Sequence, residues 1–229
     1  MKAQLLLPAA GLGTRLGCEG PKALIPLDGV PLLVYTLQRF AALELVENAV
    51  VVVTPSDRAA FETALAVAMP GHTLRIVDGG AERQDSVALG LAALDPDTEI
   101  VVIHDAARPF IAMASVQNSI TAAAAYGAAT VAIPSIDTIL QADADGFLQS
   151  TPDRRYLWAC QTPQTFRVEV IREAHARARA EGFTGTDDAS LVRRVGRTVK
   201  LVLGTPLNFK ITTPSDLHLA SMVVREELV

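Results

Sequence analysis

What most constrains this fold is an alternation. Short, uninterrupted apolar runs are each followed by a polar cluster and then by a helix-like segment. Leu5-Leu6-Leu7 is the first run, and residues 49–54, β-branched after Ala49, are the second. Residues 100–103 form a third such run, and the shorter segments 74–77 and 130–133 read as further strands. Runs of this length without polar alternation are buried on both faces. Between them, apolar residues recur at helical spacing. Residues 31–42 start with a proline suited to a first turn. Ser56 would cap a helix reaching about residue 68, and another runs over about 84–93. Residues 114–126 form an alanine-rich helix stopped by Gly127. Strand and helix in turn predict an α/β fold in three layers, with a mostly parallel twisted sheet covered on both faces. Ligands bind such sheets beyond the carboxyl ends of the strands. Three polar clusters fall there, at residues 8–15, 78–86 and 104–109.

The chain has 229 residues, half of them hydrophobic, enough to bury one large core. No linker, repeat or shift in composition marks a boundary, so residues 1–229 are expected to form one domain. A net charge of −5 argues against non-specific nucleic-acid binding, which calls for a basic surface. The two cysteines, Cys18 and Cys160, lack the paired spacing of a disulfide framework or zinc site. No apolar run reaches membrane-spanning length, and Met1-Lys2 leads into the first strand without a signal-peptide core. The expected setting is therefore cytoplasmic, without membrane partners.

The first polar cluster carries the sharpest signal. After Pro8 come Ala9-Ala10-Gly11-Leu12-Gly13-Thr14-Arg15, then Pro21-Lys22. Small residues and glycines let backbone amides approach a ligand, and Arg15 and Lys22 supply positive charge. A polyphosphate fits this loop, as does an ordinary strand-to-loop turn with two solvated cations. It is neither a P-loop nor the dinucleotide fingerprint: no Gly-Lys-Ser/Thr follows, and Leu16 stands where a third glycine would. In the second cluster, Gly79-Gly80 ends a strand and Ser86 enters a helix; it reads either as a nucleobase-recognising edge or as a charged turn. In the third, Asp105 closes a strand, where an aspartate either helps bind magnesium or caps a turn. His104 beside it reads as a satisfied structural residue, and Arg108-Pro109 as support for the loop.

The rhythm breaks at residues 135–152, where two alternating segments flank Asp145-Gly146, a hairpin signal. This predicts a projecting β-arm. An isolated hairpin is marginal in water, so the arm packs either on a second copy of the chain or on its own domain. Beyond it, residues 167–180 read as a helix ended by Gly182, and Thr186 or Asp187 caps another. Residues 199–203 read as a strand, and Pro214 opens a last helix capped by Thr212 or Thr213. Arg154 and Lys210 form a later group of cations that suits a second anionic substrate or plain solvent.

The loop with Arg15 and Lys22 resembles the signature of sugar-phosphate nucleotidylyltransferases. The ordered set narrows this: Asp78-Gly79-Gly80, His104-Asp105-Ala106-Ala107-Arg108-Pro109, Asp137-Thr138, Leu157-Trp158, Gln161-Thr162-Pro163-Gln164, Thr186-Asp187-Asp188-Ala189-Ser190 and Asn208-Phe209-Lys210. Together they are similar to the methylerythritol phosphate cytidylyltransferases of non-mevalonate isoprenoid synthesis. The resemblance runs over residues 5–220 and implies a Rossmann-like nucleotidyltransferase domain, CTP and a polyol phosphate as substrates, Mg2+, and a homodimer formed through the β-arm. It implies that Arg15 and Lys22 stabilise the transition state and that Asp105 holds the magnesium. Ala9, Ala10, Gly11, Gly13, Gly80 and Ser86 would surround the nucleotide. Arg154 and Lys210 would position the acceptor, with Thr138, Thr162, Thr186 and Asp187 around it. Ala81 stands where some members have an acid near the base, and Ala23 where many have glutamine. The nearest alternatives are a ribitol-5-phosphate cytidylyltransferase and a silent nucleotide-binding module on the same fold.

Overall fold

The computed structural model describes residues 1–11, 13, 16–17, 20–45 and 47–228. Among them, four strands pair in parallel as one block of the central sheet: β1 (Ala3–Pro8), β4 (Val50–Val53), β5 (Arg75–Asp78) and β6 (Ile100–Ile103). β2 (Pro26–Leu27) and β3 (Val30–Pro31) form a separate small ribbon. The sheet is completed by β7 (Ala128–Pro134), β10 (Trp158–Arg167) and β11 (Lys200–Leu203), in the order β11-β7-β10-β6-β1-β4-β5.

Residue parity along the strands sorts the core into two layers, because successive side chains leave opposite faces of a strand. Leu5, Leu7, Val51, Val53 and Val102 face one side, against α1 (Leu32–Ala41), α2 (Arg58–Ala68) and α4 (Met113–Tyr126) through Leu33, Phe40, Phe61 and Val116. Leu6, Val50, Val52, Val101 and Ile103 face the other, against α3 (Arg83–Ala92), α5 (Val168–Ala180) and α6 (Asp188–Arg194) through Val87, Leu91, Ile171 and Leu191. A smaller cluster seats α7 (Pro214–Arg225) on Leu27, Leu32, Phe110 and Ile211. The three expected layers are all present. Among the described residues, no helix is long and apolar enough to cross a membrane.

Several local expectations hold. Gly127 ends α4 with φ 89°, a conformation that penalises any side chain. Asp187 caps α6 by accepting from the Ser190 amide at 2.9 Å, and Thr213 forms a capping box with Asp216 at the start of α7. One expectation fails. Ser56 is not the cap of α2; it lies in a 3-10 turn over Pro55–Asp57, which leads into the helix. A pyrrolidine at residue 55 favours that tight turn by fixing φ.

The main surprise is β10. Its sequence, WACQTPQTFR, is polar and contains Pro163. Proline inside a run argues against a central strand. Yet β10 lies between β6 and β7 and runs antiparallel to both. Its pairing with β7 shifts register between Cys160 and Gln164, so the segment holding Pro163 is not part of a regular ladder. The arm leaves the sheet between these two strands, as β8 (Gln141–Ala142) and β9 (Leu148–Ser150) around Gly146.

Candidate active site

The cleft lies at the carboxyl ends of β1, β5 and β6. The loop after β1 is held by the Ala9 amide, which donates to the Val52 carbonyl at 2.7 Å, and by the Thr54 hydroxyl, which donates to the Ala10 carbonyl at 3.1 Å. The Lys22 amide donates to the Gly11 carbonyl at 3.1 Å and closes the loop. Gly13 has φ +66°, and a Cβ there would lie 2.9 Å from Lys22 Cβ. Glycine at this position therefore lets the Lys22 backbone come close enough to put its side chain on the cleft. Arg15, the expected companion of Lys22, lies outside the described residues, as do Leu12, Thr14 and Cys18.

The turn after β5 contributes the second wall. The Gly80 amide donates to the buried Ser86 hydroxyl at 3.2 Å, and Glu82 and Asp85 form a capping box for α3.

β6 delivers His104 and Asp105. His104 is fully buried, with its ring edge-on to Phe40. Its Nε2–H donates to the Arg108 carbonyl at 2.9 Å, so Nδ1 accepts from the Thr162 hydroxyl at 3.0 Å. The same hydroxyl accepts the Asp105 amide at 3.0 Å. Burial pushes the His104 pKa down to about 4. The ring is thus a neutral support, as its place beside a buried strand suggested. This gives a stability prediction. Between its unfolded value of 6.5 and about 4, the unfolded chain binds a proton that the folded chain refuses. Stability is full above that window and falls through it as pH drops, by about 3 kcal/mol in all. Urea unfolding of His104→Asn at pH 7 and pH 5 should show a flatter dependence than the parent. An unchanged slope would place the acid sensitivity elsewhere.

Asp105 is the electrostatic centre. Lys210 Nζ lies 2.9 Å from Oδ2, Arg108 Nε 3.5 Å from Oδ2, and Arg83 Nε 3.9 Å from Oδ1. Burial alone would raise its pKa, but the Lys210 ammonium and the two guanidiniums hold the carboxyl well below the usual range. Lys210 reaches it because the Ile211 amide donates to the Ala107 carbonyl at 2.9 Å, and Arg108 Nη1 donates to the Asn208 carbonyl at 2.7 Å. Arg108 thus supports the loop, as the sequence suggested.

The result is a cleft of about 460 Å³ that brings together Ala9, Ala10, Gly11, Gly13, Lys22, Gly80, Ser86, Asp105 and Lys210. The other expected residues lie elsewhere. Thr162 is buried behind the wall, on His104 and the Asp105 amide. Asp187 caps α6 and accepts from Gln164 Nε2 at 2.7 Å, and Thr186 beside it is exposed. Thr138 is exposed on the arm and Arg154 in the turn just after it, where its Nη1 donates to the Ile136 carbonyl at 3.0 Å.

Sequence reasoning missed Arg83, Asp188, His175 and Gln164. Arg83 lines the cleft. Gln164 Oε1 accepts the Asp188 and Ala189 amides at 3.0 and 3.1 Å, fixing the start of α6 to β10. Gln164 and Asp188 stood inside quoted motifs, but their partners lie far away in sequence, and His175 had no local signal.

Asp105 and Glu82 are the cleft-lining residues whose oxygens could hold a divalent cation. Among the described residues there is no group of three or more His, Cys, Asp or Glu able to hold a metal alone. The cleft is lined by two carboxylates, Glu82 and Asp105, whose oxygens are hard donors. That suits a cation held by one or two carboxylates, substrate phosphates and water.

The family model described as 2-C-methyl-D-erythritol 4-phosphate cytidylyltransferase matches residues 3–226. Relatives of that name from Pelotomaculum thermopropionicum and Geobacillus kaustophilus are 44% and 43% identical, over 98% and 100% of this chain and 94% and 99% of theirs. The crystal structure of the Thermus thermophilus protein of that name superimposes with TM-score 0.82 at 35% identity, covering 98% of this chain and all of that one. The 4-diphosphocytidyl-2C-methyl-D-erythritol synthase of Anaerococcus prevotii gives 0.86 at 30% identity, covering 98% and 96%.

Proposed function

The chain belongs to the 2-C-methyl-D-erythritol 4-phosphate cytidylyltransferase family, and from that premise we propose how its residues divide the work. The reaction transfers CMP from CTP to 2-C-methyl-D-erythritol 4-phosphate and releases pyrophosphate, a step in isoprenoid biosynthesis. The ribitol phosphate and silent-module alternatives are not favoured, since the relatives and solved structures named above all carry the methylerythritol name.

One observation supports the division of roles: Lys22, Asp105 and Lys210 share a single cleft with the small-residue loop and Ser86. Ala9, Ala10, Gly11, Gly13, Gly80 and Ser86 form the nucleotide side, where small residues let backbone groups approach phosphate and base. The acceptor phosphate is already largely ionised at neutral pH, its second pKa being about 6. One of its oxygens attacks the α-phosphorus of CTP. The bond to the bridging oxygen breaks, and pyrophosphate leaves with that electron pair. No general base is needed, and His104, buried and neutral, is not one. Lys22, with Arg15, offsets the charge gathering at the α-phosphate. Lys210 and Arg154 hold the acceptor phosphate in line, with Thr138, Thr186 and Asp187 around it. Thr162 contributes from behind, through the Asp105 amide. Asp105 would hold magnesium, which when bound neutralises charge on the triphosphate.

The arm completes the proposal. Ile136, Phe147 and Leu148 are 84, 71 and 62% exposed, an apolar surface that a hairpin of this size cannot cover by itself. Neither Thr138 nor Arg154 lines the cleft of its own chain. A second copy would bury the apolar side chains and receive both residues at its cleft. Mixing Lys22→Ala with Arg154→Ala subunits should then restore roughly a quarter of wild-type activity, because half the dimers keep one intact site. No restoration after verified subunit exchange would put Arg154 in its own chain's site. The function itself is tested by pyrophosphate release from CTP with each acceptor. Turnover is expected with methylerythritol phosphate and not with ribitol 5-phosphate, and the reverse would sink the assignment.

A further inference from the structure

Arg83 sits where a helix does not want it. It is the first residue of α3, and helix amino termini favour anions, not cations. It is held there from outside the helix. Its Nη1 donates to Asp188 Oδ2 at 2.8 Å, and its Nε faces Asp105 Oδ1 at 3.9 Å. Asp188 is 1% exposed, and a carboxylate so buried is costly unless paired. Its other oxygen accepts His175 Nε2–H at 3.2 Å, from a ring that is also buried. A chain of contacts thus runs from α5 through α6 to the cleft: His175, Asp188, Arg83, Asp105. Arg83 Nη2 makes no hydrogen bond among the described residues, and a third of the side chain stays exposed on the cleft.

We propose that Asp188 and His175 are positioning residues that aim the Arg83 guanidinium into the cleft, where it binds substrate phosphate alongside Lys22 and Lys210. The proposal rests on the cytidylyltransferase reading of that cleft. A guanidinium is a planar fork: with one arm anchored on a buried carboxylate, the remaining N–H groups keep a fixed direction. Two anionic substrates must meet in this cleft, and a cation tied to a rigid base serves that meeting better than one free to swing. The competing account is a purely structural clamp joining α3, α5 and α6. It predicts altered melting temperature with unaltered kinetics.

Kinetics by pyrophosphate release, CTP binding by calorimetry and thermal unfolding of the variants separate the two. Arg83→Gln should lower kcat/KM on the order of a hundredfold. Asp188→Asn should lower it by roughly tenfold or more, and the double variant should be no worse than Arg83→Gln alone, because Asp188 acts through Arg83. His175→Gln is the milder probe if Asp188→Asn does not fold. Its several-fold loss should likewise vanish in the Arg83→Gln background. Multiplicative effects, or normal kinetics in both the Asp188 and His175 variants, would overturn the proposal. Wild-type protein that neither binds CTP nor releases pyrophosphate would instead overturn the reading of the cleft.

Discussion

Lys22→Ala is expected to lower kcat by roughly a hundredfold or more while leaving KM for CTP within a few-fold, the usual scale for losing one preorganised electrostatic contact. The fold should survive, since the backbone bond from residue 22 to the Gly11 carbonyl needs no side chain, and Gly13 keeps its close approach to the Cβ that alanine retains. The effect falls on kcat because charge builds at the α-phosphate only as the acceptor oxygen arrives. An interaction stronger in the transition state than in the ground state changes turnover more than binding. Lys22→Arg should recover only part of the loss: a planar fork cannot replace a compact ammonium beside a loop packed this tightly. Single-turnover pyrophosphate release and calorimetry with CTP read the two quantities separately. A Lys22→Ala enzyme with full turnover and weakened CTP binding would turn Lys22 into a simple binding residue.

The apolar strands of the sheet could be read from the chain because their evidence is local. Leu5-Leu6-Leu7 and Val50–Val53 are buried on both faces, and such strands announce themselves as unbroken apolar runs. β10 could not be read this way. Its polar residues are spent on tertiary partners: Thr162 on His104 and Asp105, Gln164 on Asp187, Asp188 and Ala189, and Gln161 on Asn208 and Thr205. A strand whose side chains serve as hydrogen-bonding struts looks like a loop until the struts' partners are known. The site divides the same way. Gly80 and Asp105 stand just past strand ends, and Lys22 and Ser86 close the loops that follow, so position relative to the sheet identifies them. Arg83 and Asp188 are separated by more than a hundred residues, and their 2.8 Å contact leaves no periodic trace. Thr162 shows a further limit: a motif marked the residue as important but could not tell contact with substrate from support of the wall behind it.

Asp105→Asn should reduce turnover on the order of a hundred- to a thousandfold and also destabilise the fold by about 1–3 kcal/mol. The lower stability figure, relative to a fully buried pair, reflects Lys210 and Arg83, whose side chains are 38% and 34% exposed and so partly screened. The amide is nearly isosteric, so the Thr162 hydroxyl can keep its bond to the residue 105 backbone. What disappears is the one negative charge on which Lys210, Arg108 and Arg83 converge. Asp105→Glu separates the two consequences. It keeps the charge, so stability should return to within about 1 kcal/mol of the parent, while a carboxylate one methylene farther into the cleft should still lose at least about tenfold in rate. Thermal unfolding and steady-state turnover, measured on both variants across a magnesium titration, decide it. If Asp105→Glu restores rate as fully as stability, the carboxylate serves only to gather the cations. If it restores stability alone, the position of that charge in the cleft is what the reaction uses.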